Sequence, residues 1–260
     1  MAATVCPSCG RSTAGAGHLA GLCPACLLQT ALTHAPVPHR IVGPLGLGPR
    51  GPIALAERTD GSHRLLTIKE VSVAISSPGS LERIDATLRR LTRLNHPALL
   101  PFLDGAVTES GRLRLVADYV PGSAVRVFVR REHPPMPVRA GILADVCRAV
   151  AFAHANGFTH GRLNPCDVLV SAYGGTAHTR LRDVGLPELM GLDPEPGRDL
   201  LGLADIVDAV AAGAEPMPPP VAEALRALRS GGAGTALADT AVAADAAATA
   251  LDRIAGSGQN

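Results

Sequence analysis

The ten residues from His160 to Leu169 constrain the fold of this chain more than any other segment. They read His-Gly-Arg-Leu-Asn-Pro-Cys-Asp-Val-Leu, a polar loop between two stretches of different periodicity. Before the loop, residues 138–156 have the spacing of a long amphipathic helix that ends at Asn156-Gly157, a favourable helix C-terminus. After it come two short strands joined at Gly174-Gly175, and then the acidic turn Asp183-Val184-Gly185. The sequence therefore predicts a helix, a polar loop, a hairpin and an acidic turn in this order.

The first half of the chain predicts a glycine-rich hairpin followed by a helix. Residues 53–56 alternate as a strand, Asp60-Gly61 forms a turn, and residues 65–69 form a second strand that ends at Lys69. Leucine and isoleucine then recur at helical spacing over residues 80–94. The glycine-rich spacing G-x-G-x-x-G-x-V is carried by Gly46, Gly48, Gly51 and Ile53.

Taken in order, these segments resemble those of bacterial serine/threonine protein kinases. Leu94–Leu100 is similar to the connection that follows the helix of the kinase N-lobe, and Leu113–Gly122 is similar to the hinge strand. The resemblance implies an α+β, two-lobed protein kinase-like fold. Its β-rich N-lobe would cover residues 41–119 and its α-helical C-lobe residues 120–255, with an activation segment shortened to residues 186–198.

The resemblance also implies where a nucleotide would bind. Asp167 and Asp183 stand at the two magnesium-binding positions of the family, so ATP and magnesium are the implied ligands. A glycine-rich loop holds phosphates through backbone N–H groups, which Pro49 and Pro52 lack, so we expect weak or no ATP binding. Asp167 could instead pair with Arg162, and the sequence leaves both arrangements open. The implied nucleotide-binding residues are Gly46, Gly48, Gly51, Ile53, Lys69, Asp118, Val120, Leu169 and Asp183.

Three positions of the kinase machinery carry unsuitable side chains. Arg162 stands in place of the catalytic aspartate, and a guanidinium cannot accept a proton from a substrate hydroxyl. Asn164 replaces the catalytic-loop lysine, and Thr87 replaces the glutamate that would pair with Lys69. The resemblance therefore implies a catalytically inactive pseudokinase, a signalling scaffold with an unidentified protein partner. The alternative is a weakly active or atypical serine/threonine kinase that uses another acid, such as Glu188.

A separate cysteine module precedes the kinase-like segments. Two C-x2-C pairs, 13 residues apart, can direct four thiolates to one ion in a closed tetrahedral site. This spacing predicts a structural zinc ribbon over residues 1–30 and a linker over residues 31–40; two disulfides or a redox pair are the alternatives. The ribbon carries one arginine and no lysine, so nucleic-acid binding is the less favoured role. The predicted zinc ligands are Cys6, Cys9, Cys23 and Cys26.

Charge and hydropathy narrow the classes of partner. The formal net charge is +1, so no global field draws the chain to nucleic acid or to a membrane surface. Aspartates interrupt the most apolar stretches, residues 200–214 and 236–255, so no membrane segment is predicted. The N-terminus lacks a basic region followed by an apolar one, which argues against a secretory signal. We therefore expect a cytoplasmic protein with reduced thiols.

Overall fold

The fold is taken from a computed structural model, which describes residues 37–48, 51–73, 79–108, 110–174, 176–212, 217–231 and 236–256. The described residues form two compact units. The N-lobe extends to Arg93 and includes Pro101–Tyr119 and Leu189–Gly191, whereas the C-lobe contains the rest. The predicted combination of a sheet-rich N-lobe and a helical C-lobe is confirmed.

The N-lobe is built on one antiparallel sheet with the strand order β1-β2-β3-β5-β4. One cluster of its core contains Ala56, Leu66, Ile68 and Val116. The predicted hairpin of residues 53–69 is confirmed, and β1 begins within the last two residues of the predicted linker. The strands are β1 (His39–Gly48), β2 (Gly51–Arg58), β3 (Leu65–Ser72), β4 (Phe102–Val107) and β5 (Arg112–Asp118).

Helix α1 (Gly79–Leu91) packs on the outer strand β4 of this sheet. Leu88 lies directly over Gly105, where an added Cβ would approach the Leu88 Cδ2 atom to 2.7 Å. Glycine at this position in β4 therefore allows the close approach of the helix. The predicted helix over residues 80–94 is confirmed, although it ends at Leu91 and leaves Leu94 beyond its last turn.

The C-lobe combines a small sheet, in the order β6-β7-β8, with several helices. The predicted hairpin after the polar loop is confirmed by the pairing of Tyr173 with Thr176. Residues 219–231 and 237–255 form two further helices. The elements are β6 (Ser123–Ala124), α2 (Val125–Glu132), α3 (Met136–Ala155), β7 (Val168–Tyr173), β8 (Thr176–Leu181), α4 (Leu186–Met190), α5 (Pro196–Ala211), α6 (Pro219–Gly231) and α7 (Leu237–Ala255).

Helix α3 is the centre of the C-lobe, and its predicted amphipathic character is wrong. It contacts α5, α7 and β8, so most of its circumference is buried. Small residues such as Ala140, Ala144 and Ala149 allow these neighbours to approach from several sides. Neither α3 nor any other helix in the described ranges is long and apolar enough to span a membrane.

Two glycine-to-alanine substitutions should distinguish the effect of close packing on stability from the effect of helix propensity. In α5, a Cβ on Gly202 would lie 2.6 Å from the Leu163 carbonyl oxygen, so Gly202→Ala should destabilise the chain by about 1–3 kcal/mol. In α3, the nearest atom to a Cβ on Gly141 is the Ala255 Cβ at 3.8 Å, so Gly141→Ala should stabilise by about 0.5–1 kcal/mol. Urea denaturation of both variants checks the prediction, and an equal effect of the two would contradict it.

Candidate active site

The predicted glycine-rich residues Gly46, Gly48, Gly51 and Ile53 lie in strands β1 and β2 of the N-lobe. Gly48 lies opposite Gly51 where β1 meets β2, and Gly46 and Gly51 have φ values of +146° and +124°, which favour glycine. Further along, Ile53 of β2 pairs with Lys69 of β3. Residues 49–50 lie outside the described residues, so the predicted effect of Pro49 on phosphate binding stays a prediction.

Lys69 is only 7% exposed in the middle of the N-lobe sheet, between β2 and β5. On α1, the buried Thr87 hydroxyl donates a hydrogen bond to the Arg83 carbonyl oxygen at 2.7 Å. The Thr87 hydroxyl therefore forms its hydrogen bond within its own helix, and it carries no charge for an ion pair with a lysine. Asp85 forms an ion pair with Arg89 one helical turn away.

Three of the predicted nucleotide-binding residues lie in strands or next to one. Asp118 closes β5, and its Oδ2 atom is 2.5 Å from an Arg64 terminal nitrogen. Its backbone carbonyl also lies within 3.4 Å of the Thr67 hydroxyl. In the C-lobe, Val120 is half-buried, and Leu169 of β7 pairs with Ala124 of β6. Asp118 and Leu169 thus lie in strands and Val120 follows β5, while their role in nucleotide binding stays a prediction.

The polar loop of the C-lobe is held in place by one buried carboxylate on α5. Asp199 is fully buried, and its two oxygens accept hydrogen bonds from the backbone N–H groups of His160 and Gly161, each at 2.7 Å. Oδ2 also lies 3.0 Å from His154 Nε2. The loop backbone thus has a fixed position, set by a residue 38 positions away along the chain.

A threonine of α7 completes this buried network. The Thr240 hydroxyl lies 2.8 Å from His154 Nδ1, and both side chains are buried. It also lies 3.0 Å from the Leu237 carbonyl oxygen. Sequence reasoning assigned no role in the site to His154, Asp199 or Thr240, because only the fold brings α3, α5 and α7 together at the loop.

Within the loop, Arg162 and Asn164 stand in the degenerate positions, those of the kinase base and the kinase lysine. Their surroundings differ. Arg162 is exposed, and no ion pair of its guanidinium is found among the described residues. Asn164 instead serves the loop itself: its Oδ1 atom accepts from the Cys166 N–H at 2.8 Å and caps the short 3-10 turn Pro165–Asp167. Neither side chain supplies what the kinase positions require, a carboxylate base and a flexible cation.

Asp167 is almost fully buried, and its partners differ from those considered from the sequence. Its Oδ2 atom accepts from the Asn164 backbone N–H at 3.2 Å and from the Asn164 side-chain amide at 2.5 Å. His160 Nε2 lies 3.5 Å from the same oxygen, and Arg182 Nε lies 3.6 Å from Oδ1. In this part of the chain the pairing cation is therefore Arg182, and the alternative pairing with Arg162 is wrong.

The second predicted magnesium ligand, Asp183, is buried and adopts the left-handed region with φ +67°. Burial raises the pKa of Asp167, the charges of His160 and Arg182 lower it, and the negative charge of Asp183 raises it. Asp167 and Asp183 are thus close enough to interact. No group of three or more potential metal ligands occurs in the described ranges. Oδ2 of Asp167 already accepts two hydrogen bonds from Asn164, and the Arg182 guanidinium faces Oδ1, so these surroundings fit a magnesium ion poorly.

Glu188 lies beside the start of the loop. Its Oε1 atom accepts from the Thr159 backbone N–H at 2.9 Å and from the Thr159 hydroxyl at 2.8 Å. Burial raises the pKa of Glu188, and the hydrogen bonds from Thr159 oppose the rise. The carboxylate therefore supports the loop through Thr159.

A five-stranded lobe with a buried lysine, followed by a helical lobe with a clamped polar loop and an acidic turn, defines a protein kinase-like domain. Residues 40–196 match the family described as protein tyrosine and serine/threonine kinase, which is more than half of the chain. The chain therefore belongs to this family. Membership implies ATP and Mg²⁺ as the ligands of the family.

Several bacterial serine/threonine kinases are similar to this chain. PknB of Mycobacterium tuberculosis is 32% identical over 147 residues, which cover 55% of this chain and 23% of that protein. PkaA of Streptomyces coelicolor is 37% identical over 100 residues, which cover 38% of this chain and 18% of that protein. The similarity thus spans less than a quarter of the length of these relatives.

Solved structures support the same fold. The kinase domain of Mycobacterium tuberculosis PknI superposes with a TM-score of 0.61 at 23% identity and covers 85% of this chain and 98% of that one. A double mutant of the PknI domain gives a TM-score of 0.59 at 26% identity, with 82% of this chain and 95% of that one covered. The two-lobed kinase fold predicted from the sequence is confirmed.

Proposed function

We propose that the chain is a pseudokinase: a kinase-fold signalling scaffold that binds a protein partner, binds ATP weakly and does not transfer phosphate. One observation carries the proposal. Asp199 holds the backbone of the catalytic loop in place, yet the side chain at the base position is the exposed guanidinium of Arg162. The loop is ordered for catalysis in its backbone and lacks the carboxylate that would receive the substrate proton.

The other two degenerate positions support the same conclusion. Phosphoryl transfer depends on positioned charges that neutralise the moving phosphoryl group. The neutral amide of Asn164 caps the turn that follows it, and the neutral hydroxyl of Thr87 bonds to its own helix. Neither residue supplies charge to a bound nucleotide, so weak binding without turnover is the expected behaviour.

The proposal predicts that the purified chain does not phosphorylate proteins. Incubation with radiolabelled ATP and generic protein substrates, with a check for autophosphorylation, should give no more label than the matched Asp183→Ala variant. Asp183→Ala is the control because it removes the carboxylate of the acidic turn, which an active kinase would need. Robust turnover by the unmodified chain that Asp183→Ala abolishes would refute the pseudokinase and favour an active kinase.

The alternative of an atypical kinase has one observation in its favour. The pKa of Glu188 is raised by burial, and a raised pKa suits a carboxyl group to proton transfer near neutral pH. Its hydrogen bonds to Thr159 point instead to a supporting role for the loop. Loss of measured turnover in Glu188→Gln, with an unchanged thermal midpoint, would support the alternative.

We also propose that the N-terminal cysteine module is a structural zinc ribbon. Cys6, Cys9, Cys23 and Cys26 lie outside the described residues, so the support is their spacing alone. Metal analysis of the purified chain should give one zinc per chain, because four thiolates complete a single tetrahedral site.

Serine substitutions at the cysteines provide a matched test of the zinc site. Cys9→Ser combined with Cys26→Ser should remove the zinc, since each change deletes one thiolate of a C-x2-C pair. Cys147→Ser and Cys166→Ser should leave the zinc content unchanged, because these two free cysteines lie in the C-lobe. Zinc that survives the first double substitution would contradict the assignment.

A further inference from the structure

The surroundings of Asp167 contain basic side chains of the protein itself. Arg182 Nε lies 3.6 Å from one carboxylate oxygen and His160 Nε2 lies 3.5 Å from the other. Asp183 is near enough for its charge to influence Asp167. Asp167, one of the two carboxylates at the family's magnesium-binding positions, thus lies beside basic side chains of its own lobe.

The backbone fixes Arg182 in this cluster. Its N–H donates to the Asp167 carbonyl oxygen at 3.1 Å, and the preceding residue, Leu181, donates to the Ala98 carbonyl oxygen at 2.7 Å. The Arg182 side chain is 15% exposed, and its buried Nε makes no hydrogen bond with any described residue. The guanidinium is therefore held beside Asp167 with its Nε buried, so a ligand reaches only its terminal nitrogens.

Magnesium would have to displace several of these contacts. The ion requires oxygen ligands at short distance in near-octahedral geometry. The Asp167 side chain is 2% exposed, and Oδ2 already accepts two hydrogen bonds from Asn164. A dication bound there would break the cap of the 3-10 turn and would also lie close to the Arg182 guanidinium, which repels it.

We infer that Arg182 takes the place of the metal ion: the chain binds the phosphates of ATP through this guanidinium and without magnesium. The inference rests on the nucleotide binding included in the proposed function. A planar guanidinium matches phosphate oxygens with two parallel hydrogen bonds, and its charge does not depend on pH in the physiological range. One positive charge replaces the two charges of a metal ion, so the binding is weak.

The test is a thermal-shift titration of the full chain with ATP, once with excess MgCl₂ and once with EDTA. The dissociation constant follows from the rise of the midpoint with the logarithm of ATP concentration. We expect equal constants in the two conditions. Arg182→Gln should weaken binding about tenfold, the effect of losing one charge-assisted contact. Arg182→Lys, which keeps the charge, should lose less.

The matched control is Arg180→Gln, which removes the same charge two positions earlier in β8 and should leave the affinity unchanged. The midpoint of each variant without nucleotide shows that it is folded. Binding that requires Mg²⁺ and is unaffected by Arg182→Gln would overturn the inference and leave weak nucleotide binding intact. No shift with ATP in either condition would overturn both.

Discussion

Asp199→Ala is expected to lower the free energy of unfolding by about 3–5 kcal/mol, since each buried donor that loses its acceptor costs about 1–3 kcal/mol. The carboxylate is fully buried and accepts from the backbone N–H groups of His160 and Gly161. Alanine leaves both groups without an acceptor in a site that water does not reach, and it leaves His154 facing a cavity. Urea denaturation monitored by circular dichroism measures the loss.

A surface aspartate provides the control for this prediction. Asp208, also on α5, pairs with Arg229, and the two side chains are 40% and 58% exposed. Asp208→Ala should cost at most about 1 kcal/mol, because solvent screens exposed ion pairs. Asp199→Asn should lie between the two, since the amide keeps one acceptor oxygen. Equal losses for Asp199→Ala and Asp208→Ala would show that the network contributes little to stability.

The sequence predicted the order of elements well because the signals for helices and strands are local. The spacing of apolar residues placed α1 within a few residues of its observed ends. The acidic turn and the polar loop were recognised because their residues are contiguous. The amphipathic character of α3 was wrong, since burial on several sides depends on three neighbouring elements that spacing alone cannot reveal.

The candidate site was only partly predictable for the same reason. The sequence identified Arg162, Asn164 and Asp167 as departures from the kinase pattern, yet it did not identify Arg182 as the partner of Asp167. That contact joins residues from the two ends of the β7–β8 hairpin, which pair only once the hairpin has formed. The hydrogen bonds of Asp199 with the backbone of His160 and Gly161 span an even longer separation along the chain. Local motifs therefore indicated which residues matter, and the fold determined their partners.

Restoring the aspartate alone is expected to leave phosphotransfer below detection. Arg162→Asp supplies a proton acceptor, but the other charged groups of the machinery stay absent: Asn164 caps its turn and Thr87 bonds to Arg83. Catalytic groups that act together are strongly non-additive, so one repaired member restores little of the rate. The measurement is label transfer from radiolabelled ATP, with Arg162→Asp/Asp183→Ala as the background.

Repair of the remaining positions conflicts with the structure that surrounds them. Asn164→Lys removes the cap of the 3-10 turn and an amide donor to Asp167, and loss of such a cap typically costs about 1 kcal/mol. Thr87→Glu places a carboxylate at a site that is 8% exposed, where burial disfavours its charge. The variant that combines Arg162→Asp, Asn164→Lys and Thr87→Glu should therefore unfold at lower temperature than Arg162→Asp alone. If Arg162→Asp alone gave turnover that Asp183→Ala abolished, the base would be the single missing part, and the other two positions would be compatible with catalysis.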